Sequence, residues 1–420
     1  SFANYWTHSY DRYLEIPIDP RLDPVKVVRP DGKKVNFRWA DGSYRAYPGV
    51  RSTLQETATG WRFVNEQGTV ERFDADGLLI DITDLYGRTQ TAAYDRRDLL
   101  TRIEANTGQH LEFTYDGNGR LASVTDQAGR TWSYRYESLG RLAFVDHPDG
   151  TSREYHYEDL RHAYALTGIT TEDGQRFSYY EYDEQGRAIA SYHDGNADRV
   201  DVHYDDNGDR IVLDPLAHAT VYQTRVANKR GVLEAISGPA CSQGCGQTDT
   251  QYSHDEHLNV TRKTAYGITT TYGDHDPRGQ AGYEIRAVGT AQEKRVTYEF
   301  DPRFVDKPIR ITEPSVYPGE FRVTVRSYDS HGNPVVDSVA GFDPLGGTVS
   351  RTTTRAFDGP FGQLSMVDGP RTDVDDITHY EYYADDPAEG HNRARLKAVT
   401  GPGGVRTRDN ISYGATGKIL

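Results

Sequence analysis

Residues 110–142, HLEFTYDGNGRLASVTDQAGRTWSYRYESLGRL, contain the pattern that the rest of the chain repeats. A Tyr-Asp pair, two loop residues and Gly-Arg-Leu are followed by a short apolar run, a second Gly-Arg and an aromatic strand. The aromatic position recurs every 21 residues, at Phe73, Tyr94, Tyr115, Tyr136 and Tyr157. The glycine of the second turn keeps that spacing, at Gly87, Gly108, Gly129 and Gly150. Two markers with one period indicate an internal repeat.

Each repeat combines turn residues with strand residues. Segments 116–119 and 126–129 open with Asp, which hydrogen-bonds its own backbone, and close with Gly, which adopts positive φ without a steric penalty. Segment 146–150 has the same outline. Between turns, Trp132, Tyr134 and Tyr136 alternate with polar residues, and this period of two is typical of a strand. The pattern predicts an all-β fold with little helix, in which continuous antiparallel hairpins coil into a large curved sheet.

The composition is typical of a repeat protein and disfavours nucleic acid as a partner. The chain has 420 residues with 36% hydrophobic content, 30 Tyr and 41 Gly, which suits strands and turns rather than packed helices. The net charge of −15 disfavours a nucleic-acid partner, because binding phosphates needs a basic surface. No apolar run approaches the roughly 18 residues of a membrane helix, so we expect no membrane span.

The repeats set the expected domain organisation. Residues 1–72 are predicted to be a β-rich N-terminal capping region, whose aromatic opening packs as an edge or plug. Residues 73–157 form the regular array, and residues 158–420 hold degenerate repeats in which extra residues fall in turns. Residues 73–420 are expected to be one continuous domain, truncated at its C-terminal end.

The repeated text resembles the Rhs/YD-repeat family. The matching stretches are YDGNGRLASVTDQAGRTWSYRY, YDEQGRAI, YDDNGDRIV, YDSHGNPVV and the flank GPACSQGCG before QYSHDEHLN. That family includes bacterial polymorphic toxins, Tc-toxin cocoon subunits and the animal teneurins, and its repeats coil as one long β-sheet. In the bacterial toxins the sheet encloses a C-terminal toxin domain.

The resemblance implies a non-catalytic shell segment of a protein that is secreted or lies at the cell surface. The implied partners are its own C-terminal toxin domain, which this chain does not contain, and components of a secretion machinery or cell surface. Many family members end in a closing segment whose DPxG motif cleaves itself. The nearest text here is Phe342-Asp343-Pro344-Leu345-Gly346-Gly347, which lacks the surrounding motif context and is predicted to be a turn.

Two cysteines and two histidines form the best metal candidate. Cys241, Cys245, His254 and His257 have the spacing C-x3-C-x8-H-x2-H, and zinc accepts such ligands, although its usual paired spacings are tighter. A disulfide that staples the loop, two free thiols and a zinc site all stay open, with the disulfide favoured over the metal. We therefore assign no metal ligand and no cofactor.

A second window offers oxygen ligands in Asp194-Gly195-Asn196-Ala197-Asp198, with Asp205 further on. A calcium loop needs Gly at its sixth place, where this chain has Arg199, so a polar turn is the better interpretation. No nucleophile motif or pair of carboxylates stands out, and we assign no catalytic residue.

The repeated tyrosines have two interpretations. Because they hold equivalent strand positions, they are expected to pack in ladders against neighbouring strands. Alternatively, exposed aromatic rings could stack on sugars, as in a cell-surface module that binds polysaccharide. A third hypothesis, a polysaccharide-active enzyme on a β-repeat scaffold, requires a positioned acid and base that the sequence does not single out.

Overall fold

The structure, a computed structural model, describes residues 6–228, 230–239, 249–414 and 417–420. Half of the chain lies in strands and 3% in helix, which confirms the predicted all-β fold. Within the described ranges, helical turns occur at Asp194–Asn196, Pro387–Asn392 and Pro402–Gly404, and all three are 3-10 turns. None of the helical turns in the described ranges is long enough and apolar enough to cross a bilayer.

A small antiparallel sheet opens the chain, with its four strands in sequence order. These strands are β1 (Tyr13–Glu15), β2 (Val25–Val28), β3 (Lys34–Ala40) and β4 (Ser43–Ala46). Alternate residues of β2 and β3 point inward, so that Val25, Val27, Val35 and Phe37 are buried. A later strand of the capping region, β6 (Gly60–Val64), belongs to the second sheet.

The remaining 31 strands form one long antiparallel sheet. Those up to the end of the regular array are β5 (Thr53–Thr57), β6, β7 (Val70–Phe73), β8 (Leu79–Thr83), β9 (Thr89–Tyr94), β10 (Leu100–Ala105), β11 (His110–Tyr115), β12 (Leu121–Asp126), β13 (Thr131–Tyr136), β14 (Leu142–Asp146) and β15 (Ser152–His156). Strands therefore flank the turns at 116–119 and 126–129, as the sequence predicted.

The degenerate repeats continue the same pattern with strands of more variable length, from three to nine residues. They are β16 (Gly168–Thr170), β17 (Arg176–Tyr182), β18 (Ala188–Tyr192), β19 (Val200–Tyr204), β20 (Arg210–Leu213), β21 (Ala219–Ala227), β22 (Arg230–Ser237), β23 (Thr250–His254), β24 (Val260–Ala265), β25 (Ile268–His275), β26 (Ala281–Arg286), β27 (Lys294–Phe300), β28 (Pro308–Pro314), β29 (Phe321–Tyr328), β30 (Pro334–Phe342), β31 (Thr348–Ala356), β32 (Met366–Asp368), β33 (Thr378–Tyr382), β34 (Leu396–Thr400) and β35 (Arg406–Arg408). Strands of nine residues, such as β30 and β31, have no counterpart in the regular array.

The third turn of the array differs in detail from its prediction. Its first residue is His147, whose N–H donates to the Thr151 carbonyl oxygen, while Asp146 still belongs to β14. The Asp146 carboxylate instead accepts hydrogen bonds from Arg135 and Ser152. The repeat thus tolerates a turn that lacks the leading aspartate, because the backbone bonds of the turn are retained.

Contacts divide the chain into two compact units. The first comprises Ser1–Phe63, Glu71–Asp81 and Gln90–Thr270, and the second comprises Val64–Val70, Ile82–Thr89 and Thr271–Leu420. In the first unit, Leu100, Ile103, Phe113 and Leu121 form a buried cluster that Tyr115 and Tyr134 border. In the second, the Tyr86 hydroxyl donates to Asn333 Oδ1 at 2.8 Å. The division of the chain at residue 72 stays a prediction.

Candidate functional site: the tyrosine–arginine unit

The turn that opens each repeat is built around one aspartate. Asp116 Oδ1 accepts the backbone N–H groups of Asn118 and Arg120, both at 2.9 Å, and its Oδ2 accepts Arg120 Nε at 2.7 Å. Burial disfavours the carboxylate, but these hydrogen bonds outweigh it and hold the pKa of Asp116 below its ordinary value. Gly119 closes the turn at a φ of 76°, a conformation that glycine adopts without strain.

Tyr136, at the aromatic position one period after Tyr115, joins its repeat to the preceding one. The Tyr136 hydroxyl donates to the Leu121 carbonyl oxygen at 2.7 Å, and the Arg120 guanidinium carbon lies 4.6 Å from the centre of the Tyr136 ring. Burial raises the pKa of Tyr136, so the phenol stays protonated and donates this bond. We call this arrangement the tyrosine–arginine unit. It consists of a tyrosine, the backbone carbonyl that accepts its hydroxyl, and the arginine of the preceding turn that lies over its ring.

The hydroxyl bond recurs along the chain in both compact units. Its distance lies between 2.7 and 3.0 Å in the pairs Tyr115–Leu100, Tyr157–Leu142, Tyr182–Leu166, Tyr204–Ala188, Tyr328–Pro308, Tyr382–Leu364 and Tyr413–Leu396. Arg141, Arg187 and Arg395 also lie over the tyrosine ring of the following repeat, 4.3–4.9 Å from its centre. The degenerate repeats thus keep the contact although their spacing drifts.

A β-bulge accompanies the unit. Tyr115 pairs with Leu121 and Tyr136 pairs with Leu142, each after a register shift of the strand pair. Bulges bend a strand and increase its twist, so the repeat carries local curvature at a fixed position. The sequence did not predict the hydroxyl bond or the bulge. The sequence held one signal for the hydroxyl bond. The aromatic position is phenylalanine at Phe73, but every later copy in the regular array is tyrosine, which adds a hydroxyl.

The opposite face of the regular array is polar. Arg135, which precedes Tyr136 and therefore points away from it, donates to both Asp146 carboxylate oxygens at 2.7 and 2.9 Å. Arg102 contacts Glu104 and Glu112 on the same array, and the Thr114 and Ser123 hydroxyls lie 2.7 Å apart. One face thus carries aromatic and aliphatic side chains, and the other carries mostly hydrogen-bonded pairs, with Phe144 beneath Arg135.

These contacts favour the ladder interpretation of the array tyrosines over sugar stacking. A sugar that stacks on Tyr136 would need a ring face, whereas Arg120 covers one of its faces and the hydroxyl is engaged with the backbone. The prediction that Tyr136 and Tyr157 touch side chains of the neighbouring repeat is confirmed.

The two polar windows are turns, as the sequence predicted. Asp343 Oδ1 accepts the backbone N–H groups of Leu345 and Gly347, both at 2.8 Å, in the same arrangement as Asp116. Asp194–Asn196 is a 3-10 turn, and Arg199 donates to Glu181 and Asp201. Arg199, at the sixth place of that window, therefore pairs with carboxylates that are not among the candidate calcium ligands.

Of the metal candidate, Cys241 and Cys245 lie outside the described residues. His254 ends β23, and burial lowers its pKa. His257 lies in the following turn, where its backbone N–H donates to Asp255 and its side chain is exposed. Over the described part of the chain, no three His, Cys, Asp or Glu side chains converge into a possible metal site. The disulfide, thiol and zinc alternatives stay predictions.

A hollow of about 330 Å³ lies in the second unit between the ends of β27, β28 and β29. Arg303, Arg310 and Arg326 line it, and each faces a carboxylate, at 2.7 Å for Asp301, 3.8 Å for Glu299 and 3.4 Å for Asp337. An anionic ligand would therefore compete with an internal partner at each of these arginines, so the hollow is not a prepared anion site.

Comparisons with known proteins identify the repeats. Residues 66–224 match the family model described as Teneurin YD-shell. No curated protein sequence matches the chain. Among solved structures, the Tc holotoxin pore of Photorhabdus luminescens is 12% identical with a TM-score of 0.41, over 99% of this chain and 28% of that one.

Two further structures have similar values. TcdB2-TccC3 without its hypervariable C-terminal region is 12% identical with a TM-score of 0.38, over 94% of this chain and 29% of that one. TcdB2-TccC3-TEV is 12% identical with a TM-score of 0.35, over 95% of this chain and 24% of that one. The chain thus spans less than a third of each. The match over residues 66–224 confirms the resemblance to the Rhs/YD-repeat family that the repeats indicate.

Proposed function

We propose that the chain is a wall segment of a YD-repeat shell and has no catalytic role of its own. In this proposal it is part of a longer secreted toxin or effector, whose shell encloses a C-terminal toxin domain. The tyrosine–arginine unit is the observation that carries the proposal. Its hydroxyl bond ties a repeat to the one before through a backbone carbonyl and recurs between Tyr115 and Tyr413. The arginine completes the unit at Tyr136, Tyr157, Tyr204 and Tyr413.

The chemistry of the unit suits a wall. A buried or half-buried hydroxyl that finds a carbonyl partner avoids the penalty of an unsatisfied polar group, and the ring adds packing and a contact with the arginine. The family match adds support for a structural shell. The carboxylates and tyrosines that the repeat supplies most often are engaged in turns and ladders, which favours architecture over catalysis.

Protection of the enclosed domain tests the proposal. The full-length parent protein is treated with a broad-specificity protease, and survival of the C-terminal domain is followed by mass spectrometry. The matched control is that domain expressed alone. We expect the domain to survive in the parent and to be degraded when alone. Equal degradation rates in the two samples would contradict enclosure.

A further inference from the structure

Residues 6–12, which we call the strap, lie against the aromatic face of the regular array. The Trp6 indole N–H donates to the Tyr157 hydroxyl at 2.8 Å, and its ring meets Tyr155 edge-on with centres 4.8 Å apart. The His8 ring lies 5.6 Å from that of Phe113. The segment thus contacts side chains that lie two repeats apart, without joining their sheet.

The end of the strap is anchored by a buried charge cluster. Glu71 is fully buried and binds Arg12 together with Arg29, whose two guanidinium nitrogens reach its carboxylate at 2.5 and 2.8 Å. Breaking a buried pair of this kind is costly because the remaining charge is left unpaired. Arg12 therefore marks the fixed end of the strap, and Trp6 to Tyr10 form the part held by aromatic contacts.

The fold of the strap requires a neutral His8. The Tyr10 backbone N–H donates to His8 Nδ1 at 3.2 Å, so Nδ1 accepts and carries no proton. The proton belongs on Nε2, which lies 3.3 Å from Asp11 Oδ1, while the His8 backbone N–H donates to Asp11 Oδ2 at 3.0 Å. A second proton on His8 would place two N–H groups against each other.

The groups around His8 favour this neutral state. Burial lowers the pKa of His8, and the neighbouring Asp11 carboxylate opposes that shift without reversing it. Tyr10 on the strap, Tyr94 on β9 and Tyr115 on β11 contribute phenols whose pKa values are raised by burial, so they are uncharged across the range in which histidine titrates. Arg12, at the end of the strap, is paired with Glu71.

We propose that the strap is released by acid: protonation of His8 breaks its bond with the Tyr10 N–H, and residues 6–10 lift from the aromatic face while Arg12 stays anchored. The sign follows from linkage. Because the pKa of docked His8 lies below the ordinary value of 6.5, docking is strongest above pH 6.5 and weakens as the pH falls below it. Release would expose Phe113, Tyr155 and Tyr157, which the strap contacts. The inference does not depend on the enclosed toxin domain.

Hydrogen exchange of the full chain tests the proposal. Exchange in residues 6–12 is measured at about pH 7.5 and about pH 5, corrected for the intrinsic pH dependence and compared with residues 110–115 of the array. We expect protection of the strap to fall at the lower pH, roughly tenfold for each unit between the docked and free pKa values, while the array is unchanged.

His8→Asn separates protonation from other effects of acid. An asparagine oxygen can accept an N–H two residues on, as Asn65 Oδ1 accepts Gln67 N–H at 3.0 Å in this chain, and it does not titrate. The variant should keep the strap docked at both pH values, and His257→Asn, at an exposed turn position, should respond like the parent. An equal fall in His8→Asn, or no fall in the parent, would overturn the proposal.

Asp11→Asn gives an independent result if asparagine at position 8 fails to dock. It removes the carboxylate that favours protonated His8 but retains an oxygen that can accept the His8 backbone N–H. Docked His8 then tolerates a proton less well, so the pH at which half of the strap is released should move upward. An unchanged or lowered midpoint would show that His8 is not the group that controls release.

Discussion

At the residue scale, Tyr136 combines three contacts: a ring packed in the sheet, a hydroxyl on the Leu121 carbonyl and a cation over the ring. We predict that Tyr136→Ala costs about 3 kcal/mol of stability, by analogy with other large-to-small changes in packed sites. Tyr136→Phe, which removes the hydroxyl alone, should cost about 1 kcal/mol. Denaturant and thermal melts measure both.

The control for these variants is Arg135→Ala. Arg135 lies on the polar face, where its side chain is about half exposed and paired with Asp146, so its loss should cost under about 1 kcal/mol. If Tyr136→Ala melts like the parent but loses affinity for a glycan, the array tyrosines are a binding surface and the ladder account is wrong.

The alkaline titration of Tyr115 tests whether the phenol of an array tyrosine is buried. Burial raises the pKa of Tyr115 from 10.0 to about 12. Its contribution to stability is therefore complete below pH 10 and is lost as the pH rises towards 12. An ultraviolet titration should show one fewer late-ionising phenol in Tyr115→Phe than in the parent. Loss of an early-ionising phenol instead would place Tyr115 in solvent.

At the element scale, two turn glycines form a matched pair. Gly119 and Gly77 both have positive φ, but a Cβ at Gly119 meets nothing within 4 Å, whereas at Gly77 it would lie 2.6 Å from the Leu14 carbonyl oxygen. Gly119→Ala should cost about 1–2 kcal/mol from backbone strain alone. Gly77→Ala should cost more, because β1 must move. Equal losses in thermal melts would show that the backbone at Leu14 yields freely.

Local elements were predictable because each repeat encodes its own turns and strands. The aspartate turns and the alternation in β13 depend on residues a few positions apart, so their pattern is visible in the sequence. Contacts between distant residues are not. Tyr86 is hydrogen-bonded to Asn333, and Trp6 to Tyr157. The course of the sheet brings these residues together, and the spacing of the repeats does not predict which distant residues come into contact. The tyrosine–arginine unit lies between these cases, because its residues have a fixed spacing but its hydrogen bond joins two strands.

At the scale of the whole molecule, stability should be distributed along the array. Each repeat contacts its neighbours, so a cross-link at one loop has little effect on distant repeats. If Cys241 and Cys245 are joined, we predict that reduction leaves hydrogen-exchange protection of residues 73–157 unchanged. A loss of protection there, on reduction or on adding a chelator, would reveal a wider structural role for the loop.

The wall proposal makes its most direct claim about the full-length parent protein, and electron cryomicroscopy of that protein tests it. The account predicts a hollow particle whose wall contains residues 66–224 as sheet, with density for the C-terminal domain inside. A flat or rod-like particle without an internal cavity would contradict it.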